Sequence, residues 1–109
     1  MILYVDIDET ICTYYVKNDK HSERDYKEAI PIEENIRKIN RLFNEGHTII
    51  YWTARGALTG IDWTEVTKEQ LKEWGALHHD VRMNKPYYNL FIDDKAMNSD
   101  DFFSDVKEK

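Results

Sequence analysis

Short apolar runs recur along the chain, and each one ends at a polar residue. This pattern predicts strands over residues 2–7, 47–53, 76–83 and 89–93. Between the strands, apolar residues recur every three or four positions, which is typical of helices that bury one face. Alternating strands and helices predict an α/β fold with a parallel sheet and crossover helices.

Two of the intervening helices have clear start and stop signals. The first is predicted to open at Pro31 and to stop at Gly46, because proline favours the first helical position and glycine the position after the last. Residues 62–65 have capping-box spacing for the second helix, which Gly75 ends. A last short helix is predicted over residues 99–107.

Residues 11–30 form the long connection after the first strand. Its ends, Thr13–Val16 and Tyr26, are predicted to pair as a small hairpin flap around a charged centre, residues 17–24. We find no other insertion that is long enough for a separate cap domain.

The size and composition indicate one compact domain over residues 1–109. The apolar runs of about four or five residues fall far short of the roughly 20 needed to cross a bilayer, and Met1 leads directly into the first strand with no signal peptide. We therefore expect a cytoplasmic protein without a membrane partner. Cys12 is the single cysteine, which excludes an internal disulfide and favours a small buried residue over a nucleophile.

The charge argues against nucleic acid as a partner. The formal net charge is −6, and the basic residues are scattered along the chain. Nucleic-acid binding depends on clustered cations that neutralise phosphates. A small substrate is the better expectation.

Acidic residues follow two of the predicted strands. Asp6 and Asp8 lie two positions apart, so in an extended chain they project to the same face and would repel each other without a cation or a shared proton. Asp93 and Asp94 close the last predicted strand. Four carboxylates at strand ends predict an oxygen-ligand site for a hard divalent cation, Mg²⁺.

Two further residues suggest what the cation would do. Thr53 ends a strand, and Lys85 lies shortly before the strand that carries Asp93. A hydroxyl, an ammonium and Mg²⁺ together can hold a phosphoryl group, and a neighbouring carboxylate can then act as nucleophile. Each residue alone also fits an ordinary structural role: the aspartates in turns, Thr53 as a β-branched strand residue and Lys85 as a surface lysine. Only their joint order favours the chemistry.

With this order, Asp6-x-Asp8-x-Thr10, Thr53, Lys85 and Asp93-Asp94, the chain resembles the haloacid dehalogenase superfamily of phosphatases. The sequences of residues 51–56 and 91–98 are similar to those of small bacterial and phage members associated with capsule or surface-polysaccharide synthesis. The resemblance implies a Rossmann-like parallel sheet flanked by helices, a short flap that leans over the site, and no cap domain. One departure is Glu9, where many relatives carry glycine.

The resemblance also implies residue roles. Asp6 would be the nucleophile and a Mg²⁺ ligand, and Asp8 a general acid and then a general base that also belongs to the metal site. Thr53 and Lys85 would hold the phosphoryl oxygens. The other implied metal ligands are the Ile7 carbonyl, Asp93 and Asp94. The candidate substrate contacts are Thr10, Ala54, Arg55 and Asn98, with Tyr14, Tyr15 and Tyr26 either contacting substrate or packing within the flap.

Three functions remain open at this point. The leading one is a Mg²⁺-dependent phosphomonoesterase acting on a small phosphorylated metabolite, foremost a sugar phosphate. The second is a nucleotide phosphatase or phosphotransferase, and the third a non-catalytic regulatory protein. Signalling receiver domains are excluded, because there the phosphorylated aspartate lies on a middle strand and an acidic pair comes first. Without a cap, the site would be covered either by a large substrate or by a neighbour in a homo-oligomer.

Overall fold

The computed structural model describes residues 1–15 and 24–106. Its strands are β1 (Ile2–Val5), β2 (Cys12–Thr13), β3 (Ile30–Pro31), β4 (Thr48–Trp52) and β5 (Asp80–Arg82). Its helices are α1 (Glu33–Asn44), α2 (Thr64–Glu73) and α3 (Ser99–Phe102), with 3-10 turns at Tyr26–Glu28 and Ser104–Val106.

The main sheet is parallel, in the order β1-β4-β5. Both crossovers run in the same direction along the sheet, so two right-handed connections place α1 and α2 on one face. The core confirms this arrangement, because Ile36 and Ile39 of α1 and Leu71 of α2 cluster with Ile49 and Tyr51 of β4. The predicted α/β fold without a cap domain is confirmed for the described residues.

The opposite face of the sheet is largely open to solvent. Ile2 and Tyr4 of β1 are exposed there. The Tyr4 ring meets Trp52 edge-on, and its hydroxyl accepts a hydrogen bond of 2.7 Å from Arg82. β1 is also an edge strand of this sheet.

The connection after β1 differs from the predicted hairpin. Cys12–Thr13 pairs antiparallel with Ile30–Pro31, whereas Tyr26 lies in a 3-10 turn and pairs with no described strand. The centre of the predicted flap, residues 16–23, lies outside the described residues.

The prediction that Pro31 opens α1 is wrong. This proline belongs to β3, and the next residue is held extended because the Ile32 N–H donates to the Ile11 carbonyl over 2.8 Å. The helix begins at Glu33. Its end is as predicted, since Gly46 follows it with a φ of +98°, a conformation that favours glycine.

The start of α2 also follows the sequence prediction closely. The Asp62 carboxylate accepts a hydrogen bond of 2.9 Å from the Thr64 N–H, the first residue of the helix. In α3, residues 99–102 are helical and residues 104–106 form a 3-10 turn, so the predicted C-terminal helix is shorter than expected. No helix in the described part of the chain is long and apolar enough to cross a membrane.

The predicted strand over residues 89–93 is wrong. This segment is irregular, and its side chains are exposed, with Leu90 at 75% and Ile92 at 87%. The physical reason lies in the connection, because parallel neighbours need a crossover of about a dozen residues or more. Only six residues separate the end of β5 at Arg82 from Asn89.

Candidate active site

A pocket of about 290 Å³ lies where the carboxyl ends of the parallel strands meet. Each strand contributes its following residues to the wall: Asp6 and Asp8 after β1, Thr53 to Gly56 after β4, and Lys85 to Tyr88 after β5. Ligands of open parallel sheets bind at this edge. The structure therefore brings together four of the predicted catalytic residues.

Asp6 is the carboxylate that faces the open part of this pocket. Its side chain is 40% exposed, its Oδ1 accepts the Ile7 N–H over 2.9 Å, and its Oδ2 lies 3.8 Å from the Lys85 Nζ. Partial burial raises the pKa of Asp6, while the Lys85 ammonium opposes that shift. One oxygen is thus fixed by the backbone, and the other lies beside a cation.

Thr53 and Lys85 are held together by their backbones. The Lys85 N–H donates to the Thr53 carbonyl over 3.0 Å, and the Thr53 N–H donates to the Arg82 carbonyl over 3.0 Å. The Thr53 hydroxyl accepts the Arg55 N–H over 3.1 Å, which leaves its own proton available to donate. The lysine therefore emerges beside the threonine at the end of β4.

Asp8 forms a buried ion pair with Arg55. The Arg55 Nη2 lies 2.9 Å from the Asp8 Oδ1, and its Nε lies 3.1 Å from Oδ2, so the contact is bidentate. The Arg55 side chain is inaccessible to solvent, and that of Asp8 is 16% exposed. Arg55 was predicted to contact substrate, but this geometry makes it a positioning residue for Asp8.

The remaining donors of Arg55 are bound by α2. Its Nη1 donates to the Thr67 hydroxyl over 3.1 Å and to the Gln70 carbonyl oxygen over 2.6 Å. Gln70 in turn donates to the Tyr26 carbonyl over 2.6 Å. Thr67 and Gln70 are functional candidates that were not predicted from the sequence. Their signal was two polar residues three positions apart on the turn of α2 that carries the buried Leu71.

All partners of the Asp8 carboxylate are donors. Tyr14 donates its hydroxyl to Oδ1 over 2.5 Å, and the Cys12 thiol lies 3.4 Å from the same oxygen. Burial alone would raise the pKa of Asp8, but the hydrogen bonds and charge of Arg55 lower it below its usual value. Asp8 is therefore held as a carboxylate.

Cys12 fits its predicted structural role. The residue is fully buried, and that burial raises the pKa of its thiol well above the usual range. A thiol in this state is a poor nucleophile because the thiolate is the reactive form.

The loop after Thr53 forms one wall of the pocket. Ala54 lines it as predicted, and Gly56 adopts a φ of +82°. A Cβ at Gly56 would lie 2.1 Å from the Ile61 carbonyl oxygen, so a glycine is needed for the loop to fold back on itself. Trp63 beyond the loop contacts the Tyr26 ring edge-on at 5.0 Å between centroids.

Two predicted substrate contacts lie outside the pocket wall. The Thr10 N–H donates to the Ile7 carbonyl over 3.1 Å, and its own carbonyl accepts from the Asn35 side chain over 2.9 Å. The Asn98 side chain accepts the Asp100 N–H over 2.8 Å and caps α3. Neither residue lines the pocket in this structure, and their contact with substrate stays a prediction.

The predicted metal ligands are not assembled in this arrangement. The Ile7 carbonyl accepts the N–H groups of Thr10 and Ile11, so the prediction that it binds a metal does not fit. Asp93 and Asp94 are exposed and do not line the pocket. Within residues 1–15 and 24–106, no three acidic, histidine or cysteine residues are grouped to hold a metal ion. In the pocket wall, Asp6 offers its Oδ2 atom to a cation, and this oxygen lies 3.8 Å from the Lys85 Nζ.

Glu9 adopts a left-handed backbone conformation, with a φ of 59°. This region is costly for residues other than glycine, by roughly 1–2 kcal/mol. Here the turn is stabilised by the Glu9 N–H, which donates to the Cys12 carbonyl over 2.8 Å, and by the Thr13 hydroxyl, which donates to the Glu9 carboxylate over 2.9 Å. The chain thus accommodates the departure noted at this position.

The buried pair makes a prediction about stability. We expect Arg55→Met to lower the free energy of unfolding by about 3 kcal/mol, because it leaves Asp8 as an uncompensated, largely buried charge. Asp8→Asn alone should also destabilise the protein. The double variant should be less destabilised than the sum of the two single variants.

Urea denaturation of the four proteins followed by circular dichroism measures this coupling. Strictly additive effects would contradict a direct interaction between the two side chains. Arg82→Met, at an exposed arginine that pairs with Asp80 over 3.0 Å, is the matched control and should change stability by less than about 1 kcal/mol.

The pocket wall makes a second prediction. Gly56→Ala should destabilise the protein by more than about 1 kcal/mol, since the added methyl group collides with backbone and the positive φ disfavours alanine. Gly60 has a similar φ of +77°, but a Cβ there meets nothing within 4 Å, so Gly60→Ala isolates the cost of the conformation. Equal loss of stability in the two variants would show that the close approach of Ile61 has no effect.

Comparison with known proteins bears on the fold alone. A crystal structure of an MCSG target from Vibrio cholerae is similar, with a TM-score of 0.76 over 99% of this chain and 89% of that chain. The sequence identity is 19%, so the likeness supports a shared α/β fold. No protein-family model and no characterised protein matches the chain.

Proposed function

We propose that this protein is a phosphomonoesterase that works through an aspartyl-phosphate on a small phosphorylated metabolite, foremost a sugar phosphate. One observation carries the proposal: Asp6, Thr53 and Lys85, from the ends of separate chain segments, line a single pocket. They combine a nucleophile, a hydroxyl donor and a cation, which are the groups that phosphoryl transfer requires.

Asp6 is the nucleophile in this proposal. Its carboxylate attacks phosphorus in line, forms the new O–P bond, and displaces the leaving oxygen with its electron pair. Lys85 and the Thr53 hydroxyl stabilise the negative charge on the phosphoryl oxygens. The support for these roles is the 3.8 Å separation of the Asp6 Oδ2 from the Lys85 Nζ and the position of Thr53 in the same wall.

Asp8 is better suited to the role of base than to that of acid. Because Arg55 and Tyr14 both donate to it, the carboxylate form is favoured, and this is the protonation state that a general base requires. In the proposal, Asp8 accepts a proton from the water that hydrolyses the aspartyl-phosphate. The leaving oxygen takes its proton from solvent water in the open pocket. This assignment keeps one of the two predicted steps for Asp8 and replaces the other.

The pocket limits the size of the substrate. Its volume of about 290 Å³ is at the small end of the roughly 300–1,000 Å³ usual for ligand sites. Aromatic rings form much of its wall, from Tyr26, Trp63, Tyr87 and Tyr88. A monosaccharide phosphate fits such a wall, because its apolar C–H faces pack against rings while the phosphoryl group meets the polar end.

A requirement for Mg²⁺ is part of the proposal. Magnesium would neutralise charge on the phosphoryl oxygens. Asp6 is the donor available to it in the pocket, and the described residues there do not complete a coordination shell. Asp93 and Asp94 lie outside the pocket wall, so the proposal that they are further donors is based on their place in the sequence order and on the preference of Mg²⁺ for carboxylates.

The central test is phosphate release from a panel of sugar phosphates, nucleotides and an aryl phosphate, with Mg²⁺ or with chelator. We expect Asp6→Asn to lower kcat by about 10³-fold or more, since it removes the nucleophile. Asp101→Asn, at an exposed aspartate on α3, is the matched control and should keep full activity. Comparable turnover by wild type and Asp6→Asn would end the aspartyl-phosphate mechanism.

A separate prediction concerns the proposed metal donors. Asp93→Asn should raise the Mg²⁺ concentration needed for half-maximal activity by about 10-fold or more, because outer and direct carboxylate partners have effects of this size. The measurement is a metal titration of activity. An unchanged titration curve would remove Asp93 from the metal site, and Asp105→Asn provides the control at another exposed aspartate.

A further inference from the structure

We propose that Arg24 binds a second oxyanion on the substrate, so that the preferred phosphomonoester carries a further carboxylate or phosphoryl group on its leaving group. This inference rests on the proposed function for the meaning of the first phosphoryl group. The Arg24 contact itself follows from the geometry of the pocket.

Arg24 is a buried arginine with an unused donor. Its side chain is 9% exposed, and its Nη1 is buried without a hydrogen-bond partner among the residues that the structure describes. The residue also lines the pocket. Buried polar groups are nearly always satisfied, so a lone buried donor in a pocket wall indicates a missing acceptor.

The surroundings of Arg24 hold the guanidinium in place without satisfying it. Its Cζ lies 4.6 Å from the centroid of the Tyr14 ring, a cation–π contact. Its Nη2 lies 3.9 Å from a carboxylate oxygen of Glu9, which is beyond hydrogen-bond distance. The arginine is therefore oriented by an aromatic ring and only loosely paired with an acid.

The other two cations of the pocket are engaged differently. Arg55 is bound to Asp8 and to α2 through its Nε, Nη1 and Nη2 atoms. Lys85 lies beside the proposed nucleophile Asp6. Arg24 is thus the pocket cation that is free to bind a group on the substrate other than the reacting phosphoryl group.

The planar guanidinium selects the chemistry of that group. Arginine presents donors in a fixed fork that matches the two oxygens of a carboxylate or of a phosphoryl group. A neutral hydroxyl would accept a weaker, uncharged hydrogen bond. The predicted substrates are therefore phosphorylated sugar acids or bisphosphates in preference to phosphates of neutral sugars.

Matched ligands test this with binding as the readout. We would use the Asp6→Asn protein, because this substitution prevents turnover, and measure ligand binding by calorimetry. The two ligand pairs are 3-phosphoglycerate with glycerol 3-phosphate, and fructose 1,6-bisphosphate with fructose 6-phosphate. The first pair adds a carboxylate and the second a phosphoryl group. We expect the member with the additional carboxylate or phosphoryl group to bind about 10-fold more tightly in at least one pair, as a charged hydrogen bond allows.

Substitutions at Arg24 assign the preference. Adding Arg24→Met should abolish the difference in affinity within the pair, while the affinity of the member with a single phosphoryl group should stay nearly unchanged. Arg24→Lys should retain part of the difference because it keeps the charge. Lys27→Met, at a nearby exposed lysine, should have no effect.

Other outcomes would overturn the inference. Equal affinities within both pairs, or a preference that survives Arg24→Met, would show that Arg24 does not bind the second oxyanion. If Arg24→Met lowered the affinity for both members of a pair equally, Arg24 would have a structural role only. Wild-type protein that releases no phosphate, yet shows the Arg24-dependent preference in binding, would refute the phosphatase proposal alone.

Discussion

The buried contact between Asp8 and Arg55 is the constraint on which the site depends. It joins the segment after β1 to the segment after β4, and through Gln70 it reaches α2 and the Tyr26 carbonyl. Burying two charges is costly unless every donor and acceptor is satisfied. That condition constrains how β1, β4 and α2 meet. It thereby constrains the relative positions of Asp6, which lies shortly before Asp8 in the sequence, and Thr53, which lies shortly before Arg55.

Residue positions in the site were predictable where they follow from sheet geometry. The carboxyl ends of parallel strands share one edge of the sheet, and this brings together Asp6, Thr53 and Lys85. For Asp6 and Thr53, the apolar run before each residue is enough to predict its position at that edge. Arg55 was predicted at the site as a substrate contact, and its pairing with Asp8 was not foreseen. A sequence pattern does not reveal whether a cation faces a ligand or a buried carboxylate, since that depends on Thr67 and Gln70, which lie far along the chain.

Local backbone bonding explains the other differences. Asn98 and Thr10 occupy motif positions, yet Asn98 caps a helix, and Thr10 is bound through its backbone to Ile7 and to the Asn35 side chain. The strand predicted over residues 89–93 failed for a different reason. Its composition favours a strand, but the six residues after β5 are too few for a parallel crossover, a constraint of chain length that composition does not reflect.

The charges in the pocket give a reason, independent of any resemblance, for a cation to accompany the substrate. Asp8 and Arg55 cancel each other, which leaves Asp6 and Glu9 opposite Arg24 and Lys85. A phosphomonoester dianion that enters this nearly neutral wall must approach an ionised Asp6 for attack. The net charge of −6 adds little, because it is screened beyond about 8 Å at physiological salt. In the proposed reaction, Lys85 is the cation beside Asp6 and supplies one positive charge against the dianion and the nucleophile. The proposed Mg²⁺ at Asp6 would supply further positive charge there.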